Sequence, residues 1–396
     1  MVPARSLPPL RCPPLRDDPR RDALRRARPT ATTPSAVCVL ALGALLGCAG
    51  GRPACAQPAA RDGARTQRWR CSGAAWRGGD LEGVVAVGSH LVLPPGGREG
   101  RWRRLLPEGP PFDRLLVTLE PEHLGAGDEL RLRVRVHVDG AWTPWLPLGV
   151  YGPGEGLPRS ERSSPARGVR VATDLVCSAR PATAAEVLLE LRGRSPRRPQ
   201  VRALTACRWL RGPPPLRLPR PSPAWGRELR GVPRRSQRVE DAAIASRICS
   251  PTSLAMVLAF HDHVLPTGAV ARAVYDHGAD IYGNWAFNVA YAASLGLRAA
   301  AVHCDGFDDI EREVLAGRPV VISHRYRAGE LRGAPVDATD GHLIVVVGFT
   351  EEGDVIVHDP AAPPDSVRRI YAREELRRTW LERGEGIAYF IAPAQG

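Results

Sequence analysis

A chain of 396 residues with 43% hydrophobic content exceeds the ~250–300 residues over which a single core keeps growing, so at least two domains are expected. The formal charge of +13 is carried entirely by 55 Arg, and its distribution excludes a nucleic-acid-binding body. Residues 1–56 hold 9 Arg against 3 acidic residues, residues 191–240 hold 14 against 2, and the remainder is net acidic. Apolar-patterned segments exclude a disordered or collagen-like chain, and a single continuous apolar run excludes a polytopic membrane protein.

That run, Ala36 to Ala49, follows an Arg-rich stretch and precedes Ala54-Cys55-Ala56, a small-residue cleavage pattern. It is shorter than the ~20 residues needed to span a bilayer. Residues 1–56 are therefore expected to be an export leader, which implies a secreted or cell-envelope protein. Leu45-Leu46-Gly47-Cys48 resembles a bacterial lipoprotein box, in which Cys48 would carry the lipid and provide the membrane attachment. Cleavage after Ala56 leaves Cys71, Cys177, Cys207, Cys249 and Cys304, an odd set with at least one thiol free or paired between chains. No C-x-x-C or H-E-x-x-H spacing occurs, so no metal and no cofactor is expected.

From 66 to 211 the hydrophobic period is two. Leu130, Leu132, Val134, Val136 and Val138 alternate with Arg131, Arg133, Arg135 and His137, which puts the aliphatic residues on one face of a half-buried strand. The Arg row reads as a solvated face. Asp139-Gly140 is a hairpin signal. Further strands are expected at Leu115–Leu119, Val169–Thr173, Val187–Leu191 and Val201–Trp209. Many short strands with Gly/Pro turns predict an all-β sandwich, jelly-roll-like. Trp142, Trp145 and Tyr151 could stack on a sugar ring or complete the core; the second use is the commoner one.

Residues 212–231 are rich in Pro and Arg, which blocks helix and sheet ladders and predicts a semi-rigid linker. From 232 to 396 the pattern becomes mixed helix and strand. Ser250-Pro251-Thr252 reads as a helix start, with Ser as cap and Pro in the first turn. Cys249 lies just before it, where the positive end of the helix dipole favours a thiolate. A nucleophilic Cys also needs a base and a group that orients the base. Gly341-His342-Leu343 opens a strand over Ile344–Val347, with His342 at its edge. A turn at Glu351-Glu352-Gly353 leads to a second strand, Val355–Val357, ending at His358-Asp359-Pro360. As arms of one hairpin, these strands bring His342 and Asp359 to the same end. Cys249 could instead form a disulfide with Cys304.

Together, Val232-Pro233, Ser236-Gln237, Cys249-Ser250-Pro251-Thr252, Tyr282-Gly283-Asn284-Trp285, Gly341-His342-Leu343 and Asp359-Pro360 resemble, in that order, the C39-like cysteine peptidases. The resemblance covers residues 231–393. It implies an α+β, papain-like peptidase domain behind the sandwich, with Cys249 as nucleophile, His342 as general base and Asp359 as orienting group. It also implies Gln237 as a side-chain oxyanion donor, although Gln237 lies twelve residues upstream of Cys249, where leader-processing relatives have the Gln only a few residues before the Cys. Tyr282, Asn284 and Trp285 either line a substrate groove or begin a helix that runs to Leu295. The expected reaction is hydrolysis of peptide amide bonds through a thioester. The alternative is a catalytically silent surface protein whose sandwich binds polysaccharide or cell wall.

Overall fold

The computed structural model describes residues 65–212 and 220–394, all within one compact unit, Ala59–Gly396. The expected leader, its Cys48 and the Pro-rich part of the linker at 213–219 lie outside the described residues. The fold is mixed α and β, rich in strand, with three sheets.

The first two sheets are built from thirteen strands in chain order: β1 (Thr66–Ser72), β2 (Asp80–Glu82), β3 (Val85–Val87), β4 (His90–Val92), β5 (Glu99–Leu105), β6 (Phe112–Glu122), β7 (Glu129–Val138), β8 (Ala141–Trp142), β9 (Leu146–Tyr151), β10 (Val169–Ala172), β11 (Leu175–Ala182), β12 (Ala184–Arg192) and β13 (Gln200–Trp209). One sheet runs β10-β11-β6-β13-β4-β3 with β1 also on β13; the other runs β2-β5-β12-β7-β8 with β9 on β7. All four long strands expected here, and the short one at Val169, are present. Alternation along β7 is complete: its five aliphatic residues are buried, and they share one core with Leu115, Val117 and Leu119 of β6. Burying each such side chain is worth about 1.5–3 kcal/mol. The Arg row opposite is not a bare solvated face. Arg135 and Arg131 stand directly across from Glu186 and Glu190 of β12, and Arg135 is ion-paired with Glu186, so opposite charges join the strands.

The C-terminal region contains α1 (Cys249–Phe260), α2 (Thr267–Val274), α3 (Trp285–Ser294), β14 (Leu297–His303), α4 (Phe307–Leu315), β15 (Val320–Tyr326), β16 (Thr339–Phe349), β17 (Val355–His358), β18 (Arg368–Tyr371), α5 (Arg373–Arg377) and β19 (Ile387–Pro393). Its antiparallel sheet has the order β14-β19-β15-β16-β17-β18. The hairpin of β16 and β17 is as expected, but β16 begins earlier, so His342 lies inside the strand opposite His324 rather than at its edge. Residues 224–229, expected to be linker, run along β16 instead: Leu229 N–H donates to the Val347 carbonyl at 2.8 Å and Gly226 N–H to Thr350 at 3.0 Å. Local Pro density does not prevent this, because the Pro residues flank the pairing positions.

Helix α3 is apolar on nearly all sides, which fits a helix buried between two layers. Phe287 and Ala290 enter the core of the first two sheets, whereas Val289, Ala292 and Ala293 enter the C-terminal core. The Phe287 ring meets Tyr151 edge-on at 5.0 Å, in space that exists because Gly149 has no Cβ; one there would lie 2.9 Å from the ring. Covering by α3 also explains why β6 is buried on both faces. Phe287→Ala should therefore destabilise the protein by about 3–5 kcal/mol within a single denaturant transition followed by Trp fluorescence. A loss below about 1 kcal/mol, or two separated transitions, would contradict this packing.

Candidate active site

Cys249 is the first residue of α1, and the first turn of that helix is unusually polar for a buried element. Ser250, Thr252 and Ser253 are all fully buried, and each hydroxyl is spoken for. Ser250 Oγ donates to Asn288 Oδ1 at 2.9 Å and lies 3.0 Å from the Tyr389 hydroxyl. Thr252 Oγ1 donates to the Ile248 carbonyl (2.7 Å), and Ser253 Oγ to the Leu343 carbonyl (3.0 Å). Ser250 is therefore not the helix cap expected from the sequence; Ile248 occupies that position, without a side-chain cap. The Ser253–Leu343 bond fastens the helix that begins at Cys249 to the strand carrying His342.

His342 is buried, and its Nε2 lies 2.8 Å from Asp359 Oδ1. The other ring nitrogen is not engaged by Asp359, and the Cys249 thiol couples to this ring by charge and hydrogen bonding. Burial alone would push the thiol up; the His342 hydrogen bond and charge, with the N–H groups of Leu343 and Ser250, outweigh it and hold Cys249 below the ordinary thiol range. Burial likewise opposes a charged His342, but Asp359 and Cys249 raise it to about 10. Asp359 is fully buried, and its carboxylate is nevertheless held down at about 2, first by the His342 charge and then by hydrogen bonds. Its Oδ1 also accepts from Ala361 N–H (2.9 Å), and its Oδ2 from the Tyr371 hydroxyl (2.6 Å). Tyr371 carries no motif, and only its place on β18, the edge strand beside β17, reveals it.

None of the five described cysteines is in a disulfide, Cys249 and Cys304 included. Among the described residues, no group of three or more His, Cys, Asp and Glu side chains is arranged to hold a metal ion.

The profile of the Peptidase_C39 like family matches residues 229–387. This segment is a C39-like peptidase domain. Two solved structures are similar to part of the chain. One is a C39-like peptidase from Bacillus anthracis, 18% identical, covering 42% of this chain and 98% of its own, with a TM-score of 0.34. The other is a double-glycine-motif protease from an AMS/PCAT transporter, solved with its leader peptide: 23% identical, covering 43% of this chain and 97% of its own, with a TM-score of 0.28. No curated protein matches the chain.

Within the C39-like domain, the loop 238–248 folds back so that Gln237 reaches the approach to α1 despite its distance in sequence. Gln237 N–H donates to the Pro360 carbonyl at 2.8 Å, beside Asp359, and its side-chain Nε2 donates to the Ala245 carbonyl at 2.8 Å. An amide nitrogen has two N–H groups, so one remains. Asn284 turns inward rather than toward a groove: it is buried, its Oδ1 accepts from Phe287 N–H (3.1 Å) as the cap of α3, and its Nδ2 donates to Asp276 (2.8 Å). Trp285 is buried with it, and Gly296 ends the helix at φ +92°. Tyr282 and Gly283 of that motif keep partial exposure, with the Arg247 guanidinium 5.5 Å from the Tyr282 ring centre.

Lowered Cys249 and raised His342 define a pH window for the thiolate–imidazolium pair, above the depressed thiol value and below about 10. Iodoacetamide should therefore alkylate Cys249 with a midpoint below the ~8.5 of a free thiol, and His342→Ala, which leaves burial unopposed, should move that midpoint above ~8.5. A wild-type midpoint at or above ~8.5 would contradict the pairing.

Proposed function

We propose that the chain is a cysteine peptidase that hydrolyses peptide amide bonds, with Cys249, His342 and Asp359 as its triad. The observation that carries this reading is the buried His342–Asp359 pair, 2.8 Å apart, with the Cys249 thiol coupled to the same imidazole. The Cys249 thiolate attacks the scissile carbonyl carbon. The negative oxygen that develops is stabilised by the Cys249 backbone N–H at the positive end of α1 and by the remaining N–H of Gln237. As the tetrahedral intermediate collapses, the C–N bond breaks and His342 gives its proton to the departing amine. Water then attacks the thioester, His342 takes its proton, and the acid product leaves with the thiolate restored. Asp359 keeps the ring oriented and offsets its charge throughout.

In this reading the two N-terminal sheets form a jelly-roll-like sandwich, the C-terminal sheet with α1 forms a papain-like domain, and residues 1–56 export the protein to the cell envelope or beyond. Peptides or unfolded proteins are the substrate class. The surface-binding alternative loses its motivating feature. Tyr151 is buried against Phe287, and the Arg135 guanidinium lies over the rings of both Trp142 and Trp145, at 5.0 and 4.9 Å.

Hydrolysis of fluorescently labelled unfolded casein tests the assignment. Cys249→Ala should reduce kcat by at least about 10³-fold, and Asp359→Asn should leave a residual rate above that of Cys249→Ala. Hydrolysis that survives Cys249→Ala would remove that residue from its role.

A further inference from the structure

The segment from Asp276 to Asn288 adjoins the nucleophile and is tied at both of its faces. On one side, Asn288 accepts from Ser250, the residue after Cys249, and its Nδ2 donates to the carbonyls of Tyr282 (2.9 Å) and Asn284 (2.8 Å). Arg247, two residues before Cys249, pairs with Asp280 at 2.8 Å. Any displacement of the segment therefore reaches both flanks of the nucleophile.

On the other side, the ties come from the N-terminal β region. Asp276 is fully buried and its Oδ1 accepts from Ser160 N–H at 2.7 Å, while Pro158 O accepts from His277 N–H at 3.1 Å. The two backbones touch so closely that a Cβ on Gly278 would lie 2.0 Å from the Ser160 carbonyl oxygen. Asp174, in the turn between β10 and β11, accepts from Trp285 N–H (2.6 Å) and Ala286 N–H (3.1 Å), the first turn of α3. Arg202 of β13 donates to the Gly296 carbonyl at 3.3 Å at the other end of the helix. Helix α3 is thus clamped at its positive end by an acid and at its negative end by a cation, both from outside the peptidase segment. Burial pushes the Asp174 carboxyl up to about 7 in spite of its two N–H partners, so Asn at this position would keep an acceptor without a buried charge.

We propose that the N-terminal β region is a positioning part of the peptidase site: through Ser160 on Asp276 and Asp174 on α3, it fixes the wall 276–288 beside Cys249 and so sets how well a peptide is held there. The inference rests on Cys249 being the nucleophile. It makes the first region necessary for productive peptide binding and leaves the thiolate itself to His342.

Two alkylating probes applied to the full-length chain separate these roles. Iodoacetamide requires only the thiolate, whereas a peptidyl epoxide must also occupy the cleft. Asp174→Ala and Gly278→Ala should each slow epoxide inactivation about tenfold, with the iodoacetamide rate and its pH midpoint nearly unchanged, and Asp174→Asn should recover most of the epoxide rate. In variants that keep the wild-type far-UV circular dichroism, epoxide rates that do not fall, or that fall in step with iodoacetamide, would overturn the proposal. Gly278→Ala adds one methyl group at a partly exposed turn, so it keeps the test in force if Asp174→Ala does not fold. A wild-type Cys249 that reacts with neither probe would instead overturn the nucleophile assignment on which the inference depends.

Discussion

A charged His342 beside a charged Asp359, both sealed from solvent, is the constraint around which the C-terminal region is arranged. Removing such a pair from water costs several kcal/mol per ion, and their mutual attraction compensates only when the remaining hydrogen-bonding sites are filled. Here they are filled. Asp359 receives His342, the Ala361 N–H and the Tyr371 hydroxyl, and His342 is coupled also to Cys249. Each partner comes from a different element: β16, the loop after β17, β18 and the start of α1. The pair thus requires the sheet order that brings those four together, and the sheet order leaves the pair no route to water. His324, directly across the ladder from His342, keeps neither ring nitrogen bonded. Burial drops it to about 3, so it stands beside the charged ring as a neutral one.

The same economy extends outward from Cys249. The polar first turn of α1 is buried, and buried hydroxyls demand partners. Those partners, Asn288, Tyr389 and the Leu343 carbonyl, belong to α3, β19 and β16. Helix α3 in turn is buried at every position but Tyr291 and Ser294 and is shared between two apolar cores. A site whose geometry must hold to a fraction of an ångström is thereby set in rigid elements, with few loops between it and the rest of the molecule.

Much of this was legible in the sequence, for physical reasons that can be named. β7 could be read residue by residue because strand period two and burial coincide along its whole length. The meeting of His342 and Asp359 followed from hairpin geometry, since a short turn forces the open ends of two strands together. Other features were not legible. The start of β16 was not legible because Asp340 and Gly341 are poor strand formers; they lie at an irregularity between two positions that do pair with β15, His342 opposite His324 and Thr339 opposite Tyr326. Ser250 has the composition of a cap, but tertiary partners took its hydroxyl. Tyr371, Asp174 and Asp276 had no local signal at all: each acts through residues far away in the chain, and single-sequence periodicity carries no record of such contacts. Residues 224–229 misled for the opposite reason, because the Pro density around them spoke more loudly than their pairing.

The central claim is that Cys249 attacks and becomes acylated. A peptidyl p-nitrophenyl ester tests it most directly, since an activated ester makes acylation fast and leaves deacylation limiting. The account predicts a burst of one equivalent of p-nitrophenolate, with the acyl mass recovered after acid quench on the peptide that contains Cys249. Release without a burst, unaffected by prior alkylation of Cys249, or an acyl group recovered on any other residue, would contradict it.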